Sequence, residues 1–140
     1  MAWFKDRMVG SGIISTKKLT VAPVIPDFTA AVETGNAISV TIQMKDPDGT
    51  AVARAVDCIC YVKDSNGLTG LIGAWRLAET GVGAEVTATA KPTLVITTDA
   101  AGAAIITITD VSGSFSGSIF LVVEPVNTLG TAGLLEVVFA

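Results

Sequence analysis

The side chains best able to do chemistry in this sequence are two cysteines and thirteen carboxylates, because the chain contains no histidine. Histidine is the commonest general base and metal ligand near neutral pH, and it completes most Ser- or Cys-based nucleophile pairs. The segment Gly113–Gly117 has the outline of a nucleophile elbow, but Phe115 stands where the serine is required. The sequence therefore predicts no catalytic residue and no enzyme activity.

Cys58 and Cys60 are the only cysteines and lie two residues apart. In a strand both would point to the same face, about 6.6 Å apart, with parallel Cβ directions. This separation is at the upper limit for a disulfide, so two small buried thiols in a core strand are the favoured interpretation. An intermolecular disulfide and a metal site are the alternatives, although two thiols without histidine make a poor zinc site.

Asp46 and Asp48 precede Gly49 and are the closest pair of carboxylates that could bind calcium. Their spacing is not that of an EF-hand loop. The same residues form a strong turn signal, and a turn is the favoured interpretation. The glycines of residues 67–73 have neither the dinucleotide-binding nor the phosphate-loop spacing. We therefore expect no cofactor and no metal.

Short strands must position any functional group, because apolar and polar residues alternate in many parts of the chain. Asp99–Gly102 predicts a turn, and Ala104, Ile106 and Ile108 after it share one face of a strand. Further strands are predicted at Ala37–Met44, Ala53–Lys63, Thr93–Thr97, Ile119–Glu124 and Leu134–Phe139. The last two are almost continuously apolar, which is typical of strands covered on both faces. Six to eight short strands indicate an all-β fold, an antiparallel β-sandwich.

Charged residues make up only 16% of the chain, against about 25% in ordinary domains. Such a surface either exposes many small polar residues or is hidden in an assembly. Residues 28–140 carry five basic and eleven acidic groups, so they offer no basic footprint for nucleic acid. The longest uncharged stretch, 111–123, is too short for a membrane-spanning helix, which needs about 20 apolar residues. We therefore expect neither nucleic acid nor a membrane as a partner.

Residues 1–27 are predicted to form an N-terminal arm on a body of residues 28–140. The arm has no clean hydrophobic period, Gly10–Gly12 would break a helix, and Pro23 and Pro26 disfavour a central strand. The arm could simply add a strand that completes the sandwich. Alternatively it docks on a neighbouring subunit, because large apolar side chains are costly to leave in water. The candidate partner-binding residues are Trp3, Phe4, Met8, Ile13, Ile14, Lys17 and Lys18.

Three aromatic residues, Trp3, Tyr61 and Trp75, are the most able to contribute to a binding surface. For Trp75 a place in the core or as a loop anchor is favoured. Trp75 falls in a glycine-rich stretch, where a short strand or loop near Leu71–Leu77 is predicted and a short helix is an alternative.

Several strand-and-turn segments occur in an order that resembles a known family. They are Glu33–Asp46, Cys58–Asp64, Ile96–Gly102, Ile106–Asp110 and Phe120–Val123. Over residues 33–140 the chain resembles a group of small virion proteins of tailed bacteriophages that are built on an immunoglobulin-like sandwich. The Thr-Asp-x-x-Gly turn before an Ile/Thr strand also resembles bacterial immunoglobulin-like repeats of adhesins.

The resemblance implies an immunoglobulin-like β-sandwich with an extended N-terminal arm and without catalytic residues. It implies a structural role, in which the chain decorates or cements the capsid by binding the major capsid protein and copies of itself. The chain would then be made in the host cytoplasm and reside on the capsid surface of the virion. The alternatives are a tail, neck or fibre component, and an adhesion module that binds carbohydrate or a cell-surface receptor. Adhesion predicts an exposed aromatic cluster near one end of the sandwich.

Overall fold

The computed structural model describes residues 23–63, 75–81, 83–85 and 93–140, and these residues form strands and turns and no helix. Trp75–Leu77, where the sequence leaves strand, loop and helix open, belong to a strand. In chain order the strands are β1 (Ile25–Ala30), β2 (Ala37–Lys45), β3 (Asp57–Lys63), β4 (Trp75–Glu79), β5 (Ala84–Glu85), β6 (Thr93–Thr97), β7 (Ala103–Asp110), β8 (Gly117–Val126) and β9 (Gly133–Phe139). The predicted all-β class is confirmed.

The strands form two antiparallel sheets that pack face to face, one with the order β1-β2-β7-β4 and the other β5-β6-β3-β8-β9. If β1, β2, β3, β4, β7, β8 and β9 are lettered A to G, the sheets contain the ABED and CFG strands of an immunoglobulin domain. The chain departs from immunoglobulin order at one point. Strand β6 lies beside β3, in the place of strand C′, but it follows β4 along the chain instead of preceding it. The predicted immunoglobulin-like sandwich is thus confirmed, with β4 and β6 interchanged.

Alternate residues of the central strands fill the space between the sheets, because successive side chains of a strand point to opposite faces. Branched side chains such as Ile and Val pack well on this pleated surface. Burying one such side chain stabilises the fold by about 1.5–3 kcal/mol. The buried apolar residues of β2, β3, β6 and β7 are those that the alternation predicts to point inward, namely Ile38, Val40, Ile42, Met44, Cys58, Cys60, Val62, Leu94, Ile96, Ala104, Ile106 and Ile108.

Three turns are built on the same four-residue pattern, Asp-x-x-Gly: Asp46–Gly49, Asp99–Gly102 and Asp110–Gly113. In each, the aspartate carboxylate accepts hydrogen bonds from the amides two and four residues later. The glycine donates its N–H to the aspartate carbonyl and has a φ of +68° to +84°, which other residues rarely adopt. The first two turns confirm predictions. A fourth copy of the pattern, Asp64–Gly67, lies outside the described residues.

Strand β1 closes the sandwich, because it pairs with β2 in one sheet and its start lies against the other. Val24, just before β1, is fully buried and forms a parallel bridge with Gly130 in the β8–β9 turn. The Val24 amide donates to the carbonyl of Leu129 at 2.9 Å. The Phe28 ring packs so closely on Gly133 that a Cβ there would be 2.7 Å from ring atoms. A glycine at the start of β9 therefore lets the two sheets meet at this edge.

The predicted boundary between arm and body, after Asp27, falls inside β1. Residues 25–27 pair with β2, and the Asp27 carboxylate forms a 2.6 Å ion pair with the ammonium of Lys45. Pro26 is compatible with this strand because β1 is at the edge of its sheet. The arm residues 1–22 lie outside the described residues, so the arm itself stays a prediction.

The prediction that the last two strands are covered on both faces is wrong for β9. This strand is at the edge of its sheet, where Val137 and Phe139 are buried but Leu134 and Val138 are 55% and 61% exposed. The apolar run of β9 therefore has one face in the core and one face open to solvent. In β8 the prediction holds better, because the outward-pointing Val122 is also buried.

Candidate interaction surface

The outward side of the five-stranded sheet carries a group of apolar side chains contributed by three neighbouring strands. Residues that pair across antiparallel strands point to the same side, so the register of β3, β8 and β9 shows which side chains share this surface. We call the set the apolar face; its members are Ile59, Tyr61, Phe120, Val122, Leu134 and Val138.

The apolar face is sheltered at its centre and exposed at the β9 edge. Val122 lies at the centre, and only 5% of it is exposed because Tyr61 and Leu134 stand opposite it on the two flanking strands. Leu134 and Val138 at the edge are more than half exposed. A group of large apolar side chains left open in this way marks a site for contact with another surface.

Charged side chains border the apolar face. Asp57, Glu124 and Glu136 supply three carboxylates, and Lys63 supplies one ammonium group, so this rim is net negative. The Tyr61 hydroxyl donates a hydrogen bond to the Glu124 carboxylate at 3.0 Å. Partial burial and this carboxylate together raise the pKa of Tyr61. The phenol therefore stays neutral and remains a fixed donor at the junction of the face and its rim.

The outward side of the four-stranded sheet has a different chemistry. Its central strands present Ser39, Thr41, Thr107 and Thr109 there. The hydroxyl of Thr107 lies 3.0 Å from that of Ser39 and 2.9 Å from that of Thr80, so these groups hydrogen bond to one another. The two outer sides of the sandwich are thus unlike: the central strands of the four-stranded sheet present mostly hydroxyl-bearing and small side chains, with Ile105 opposite Thr41, whereas the five-stranded sheet presents the apolar face.

The aromatic residues that the sequence suggests for a binding surface lie in different places. Tyr61 belongs to the apolar face, whereas Trp75 is buried and its ring lies 4.9 Å and 5.0 Å, centroid to centroid, from those of Phe115 and Phe139. The core interpretation of Trp75 is confirmed, and a place in a binding surface is wrong for it. The predicted partner-binding residues all precede the described part of the chain, and their role stays a prediction: Trp3, Phe4, Met8, Ile13, Ile14, Lys17 and Lys18.

The potentially reactive groups of the described residues serve the fold. The Asp46 carboxylate, half of the calcium alternative, accepts the amides of Asp48 and Thr50 at 3.0 Å and 2.9 Å. Cys58 and Cys60 are free and buried, which confirms the buried-thiol interpretation. Burial raises the pKa of both thiols, that of Cys58 to about 12. Within the described ranges, no three Cys, Asp or Glu side chains are placed to hold a metal ion.

Sequence reasoning missed the apolar face, although its signal was present. Leu134 and Val138 alternate with buried residues of β9, as in a strand with one covered face. The local sequence does not say which strand lies at a sheet edge, so the apolar run alone indicates two covered faces.

The described residues also contain no apolar helix of membrane-spanning length.

Fold and surface define the described part of the chain as an antiparallel β-sandwich with two chemically unlike outer sides. No family model and no curated protein matches the chain. Among solved structures, it is similar to two crystal structures of a beta-glucuronidase from Parabacteroides merdae, one with glycerol in the active site. The TM-score is 0.47 in both, and the identities are 16% and 15%. Each alignment covers 86% of this chain but only 12% of the glucuronidase, and at this similarity it carries no argument about function.

Proposed function

We propose that the chain is a structural virion protein of a tailed bacteriophage, a capsid decoration protein that binds the major capsid protein and copies of itself. The observation that carries its role in assembly is the apolar face with its charged rim. A surface with an apolar centre and a polar border is suited to burial against another protein. The capsid part of the proposal is supported by the resemblance of residues 33–140 to small phage virion proteins.

The shape of the molecule fits repeated use in a shell. A stable protein–protein interface buries about 800 Å² on each partner. A small sandwich can offer this area on one outer side while its other side remains hydrated. In this proposal the apolar and basic residues of the arm hold the subunit in place: Trp3, Phe4, Met8, Ile13, Ile14, Lys17 and Lys18.

Binding to empty shells tests the proposal. Shells assembled from the major capsid protein would be mixed with the purified full chain, and the bound chain would be measured after sedimentation. We expect occupancy to saturate at a fixed ratio of chain to major capsid protein, because decoration uses equivalent sites. Absence of saturable binding at micromolar concentration would overturn the proposal. A ratio of only a few copies per particle would favour a tail, neck or fibre component.

The contribution of the arm is tested by a double substitution, Trp3→Ala with Phe4→Ala. We expect lower occupancy at a given concentration, because two large apolar anchors are lost. Val32→Ala is the matched control, since Val32 is 88% exposed in the connection between β1 and β2. Equal occupancy of the double variant and the control would remove the two aromatic residues from the mechanism.

The adhesion alternative depends on exposed aromatic side chains. Trp75, Phe115 and Phe139 pack on one another, and Tyr61 and Phe120 are half-buried members of the apolar face. No specific contact among the described residues favours saccharide binding over protein binding. Saturable binding of the full chain to an immobilised glycan would nevertheless favour adhesion over decoration.

A further inference from the structure

The described part of the chain begins beside the turn between β8 and β9, near the end of β9 that carries Leu134. Val24 is paired with Gly130, and its amide is hydrogen bonded to the Leu129 carbonyl. Leu129 and Leu134, the exposed residues on either side of this contact, are both more than half open to solvent. The described part of the chain therefore begins, at Pro23, close to where β8 ends and β9 begins, and 22 residues precede it.

Residues 1–22 also match the apolar face in chemistry. They carry four basic side chains and one acidic side chain, a net charge of +3, whereas the rim of the face has three carboxylates and one ammonium group. Opposite charges around an apolar contact guide association and fix its orientation. The large apolar side chains of this segment include Trp3, Phe4, Met8, Val9, Ile13 and Ile14.

We propose that the apolar face binds residues 1–22 of a second copy of this chain. The inference rests on the proposed function in treating the chain as an assembly protein, and it names the partner of the apolar face. An extended segment of 22 residues spans about 70 Å, whereas five strands are only about 20 Å across. Each copy uses its segment on one neighbour and its face on another, and such heterologous contacts form rings or filaments.

Concentration-dependent association of the full chain tests this inference. Average mass would be measured by sedimentation equilibrium, and burial of Trp3 by the difference in tryptophan emission between the wild type and Trp3→Phe. We expect the mass to rise with concentration and the Trp3 emission to shift to shorter wavelength in parallel. A chain that stays monomeric at all concentrations overturns the inference. A blue shift that does not depend on concentration also overturns it, because the segment then lies on its own copy.

Substitutions on the face locate the contact. Leu134→Lys and Val138→Lys change exposed side chains, so we expect an unchanged thermal unfolding midpoint and at least tenfold weaker association. Glu136→Lys removes a rim carboxylate, and we expect weaker association with a smaller dependence on salt. Val111→Lys is the matched control, because Val111 is 59% exposed in the turn after β7 and outside the apolar face. Equal association of the face variants and this control overturns the inference.

Shell binding separates this inference from the proposed function. If the chain stays monomeric but saturates shells of the major capsid protein, the inference is overturned and the binding to the major capsid protein in the proposed function is supported. If the chain associates through Leu134 and Val138 but does not bind such shells, the proposed function is overturned and the inference is supported.

Discussion

At the scale of single residues, three aspartate carboxylates, those of Asp46, Asp99 and Asp110, act as hydrogen-bond acceptors that hold turns. Asp110 is the most fully used of them. One carboxylate oxygen accepts the amide and hydroxyl of Ser112, and the other accepts the amides of Ser114 and Phe115 at 2.9 Å and 2.8 Å. The Ser112 hydroxyl and these amides hold the pKa of Asp110 below its ordinary value, against the opposing effect of burial.

We expect Asp110→Asn to lower the thermal unfolding midpoint at pH 7. The NH2 group of the asparagine must take the place of one carboxylate oxygen, so it faces either the amide and hydroxyl of Ser112 or the amides of Ser114 and Phe115. An NH2 group cannot accept a hydrogen bond from these backbone amides, so at least one of them loses its acceptor. Asp99→Asn is the matched control, because both amides bound by Asp99 go to a single oxygen that asparagine retains. Differential scanning calorimetry of both variants measures the effect. Equal midpoints for the two would contradict this account of the turn.

The same carboxylate predicts a pH dependence with a definite sign. The pKa of Asp110 is lower in the folded chain than in the unfolded chain, so ionisation stabilises the fold above about pH 4. This stabilisation is lost as the pH falls through the lowered pKa. We therefore expect the difference in midpoint between the wild type and Asp110→Asn to be largest near neutral pH and to shrink in acid. A difference that is constant from pH 7 to pH 2.5 would exclude this contribution.

The two thiols should not react with alkylating reagents in the folded chain. Burial raises the pKa of Cys58 and Cys60, so neither is a thiolate at pH 8. We expect iodoacetamide to label both only in denaturant, with labelling followed by mass spectrometry. Because the unfolded thiols ionise near pH 9 and the folded ones do not, stability should also decline above that pH. Rapid labelling of the native chain would place at least one thiol outside the core.

At the scale of elements, the repeated Asp-x-x-Gly turn links local sequence to the packing of the two sheets. All three described copies require a positive φ at glycine, but their surroundings differ. At Gly49 a Cβ would meet nothing within 4 Å, whereas at Gly102 it would overlap the Val52 carbonyl oxygen. The turn at Gly102 therefore lies against a neighbouring strand connection, and the turn at Gly49 is open.

This contrast gives a paired prediction. Gly49→Ala should cost only the backbone strain of a positive φ, about 1–2 kcal/mol. Gly102→Ala should cost about 1–3 kcal/mol more, because the Val52 carbonyl must also move. Urea unfolding of both variants measures the two free energies. Equal costs would show that the connection around Val52 shifts to accommodate the new methyl group without a loss of stability.

The elements differ in how far the sequence predicts them, and the reason is physical. The bounds of β6, Thr93–Thr97, were predicted without error, and the inward residues of β2 and β7 follow directly from alternation. The interchange of β4 and β6 along the chain was not predictable, because a short strand carries no local mark of the sheet it joins. The apolar face was missed for a related reason: only the strand order shows that β9 is an edge. The arm residues proposed as a binding site are still supported by sequence alone.

At the scale of the whole molecule, β1 joins the two sheets, because it pairs with β2 in one sheet and contacts β9 in the other. Phe28 reaches from β1 to Gly133 in β9, and Val24 ties the entry of the chain to the β8–β9 turn. The Ile25 side chain points to the other side of β1 from Val24 and Phe28, and it is 37% exposed. The Phe28 ring, the buried Val24 side chain and two backbone hydrogen bonds therefore hold this edge between the sheets.

We expect Phe28→Ala to destabilise the chain by about 2 kcal/mol, less than a fully buried phenylalanine, because the ring is only partly buried. Hydrogen exchange should accelerate at the Val24 and Thr131 amides, which are bonded across this edge, more than at the amides of β3. Ile25→Ala, on the opposite side of β1, is the control and should leave both measurements nearly unchanged. Uniform acceleration in the Phe28 variant would mean that β1 and the rest of the sandwich open only together.

The unlike outer sides of the sandwich also determine how the molecule orients at a boundary. A molecule with one apolar outer side and one outer side rich in hydroxyl groups lies flat where water meets a nonpolar medium. At the surface of a thin aqueous film the five-stranded sheet should turn toward the air and the threonine-bearing sheet toward the liquid. Micrographs of isolated molecules in such a film would then contain mostly one projection, and the Leu134→Lys and Val138→Lys substitutions together should restore a fuller range of views.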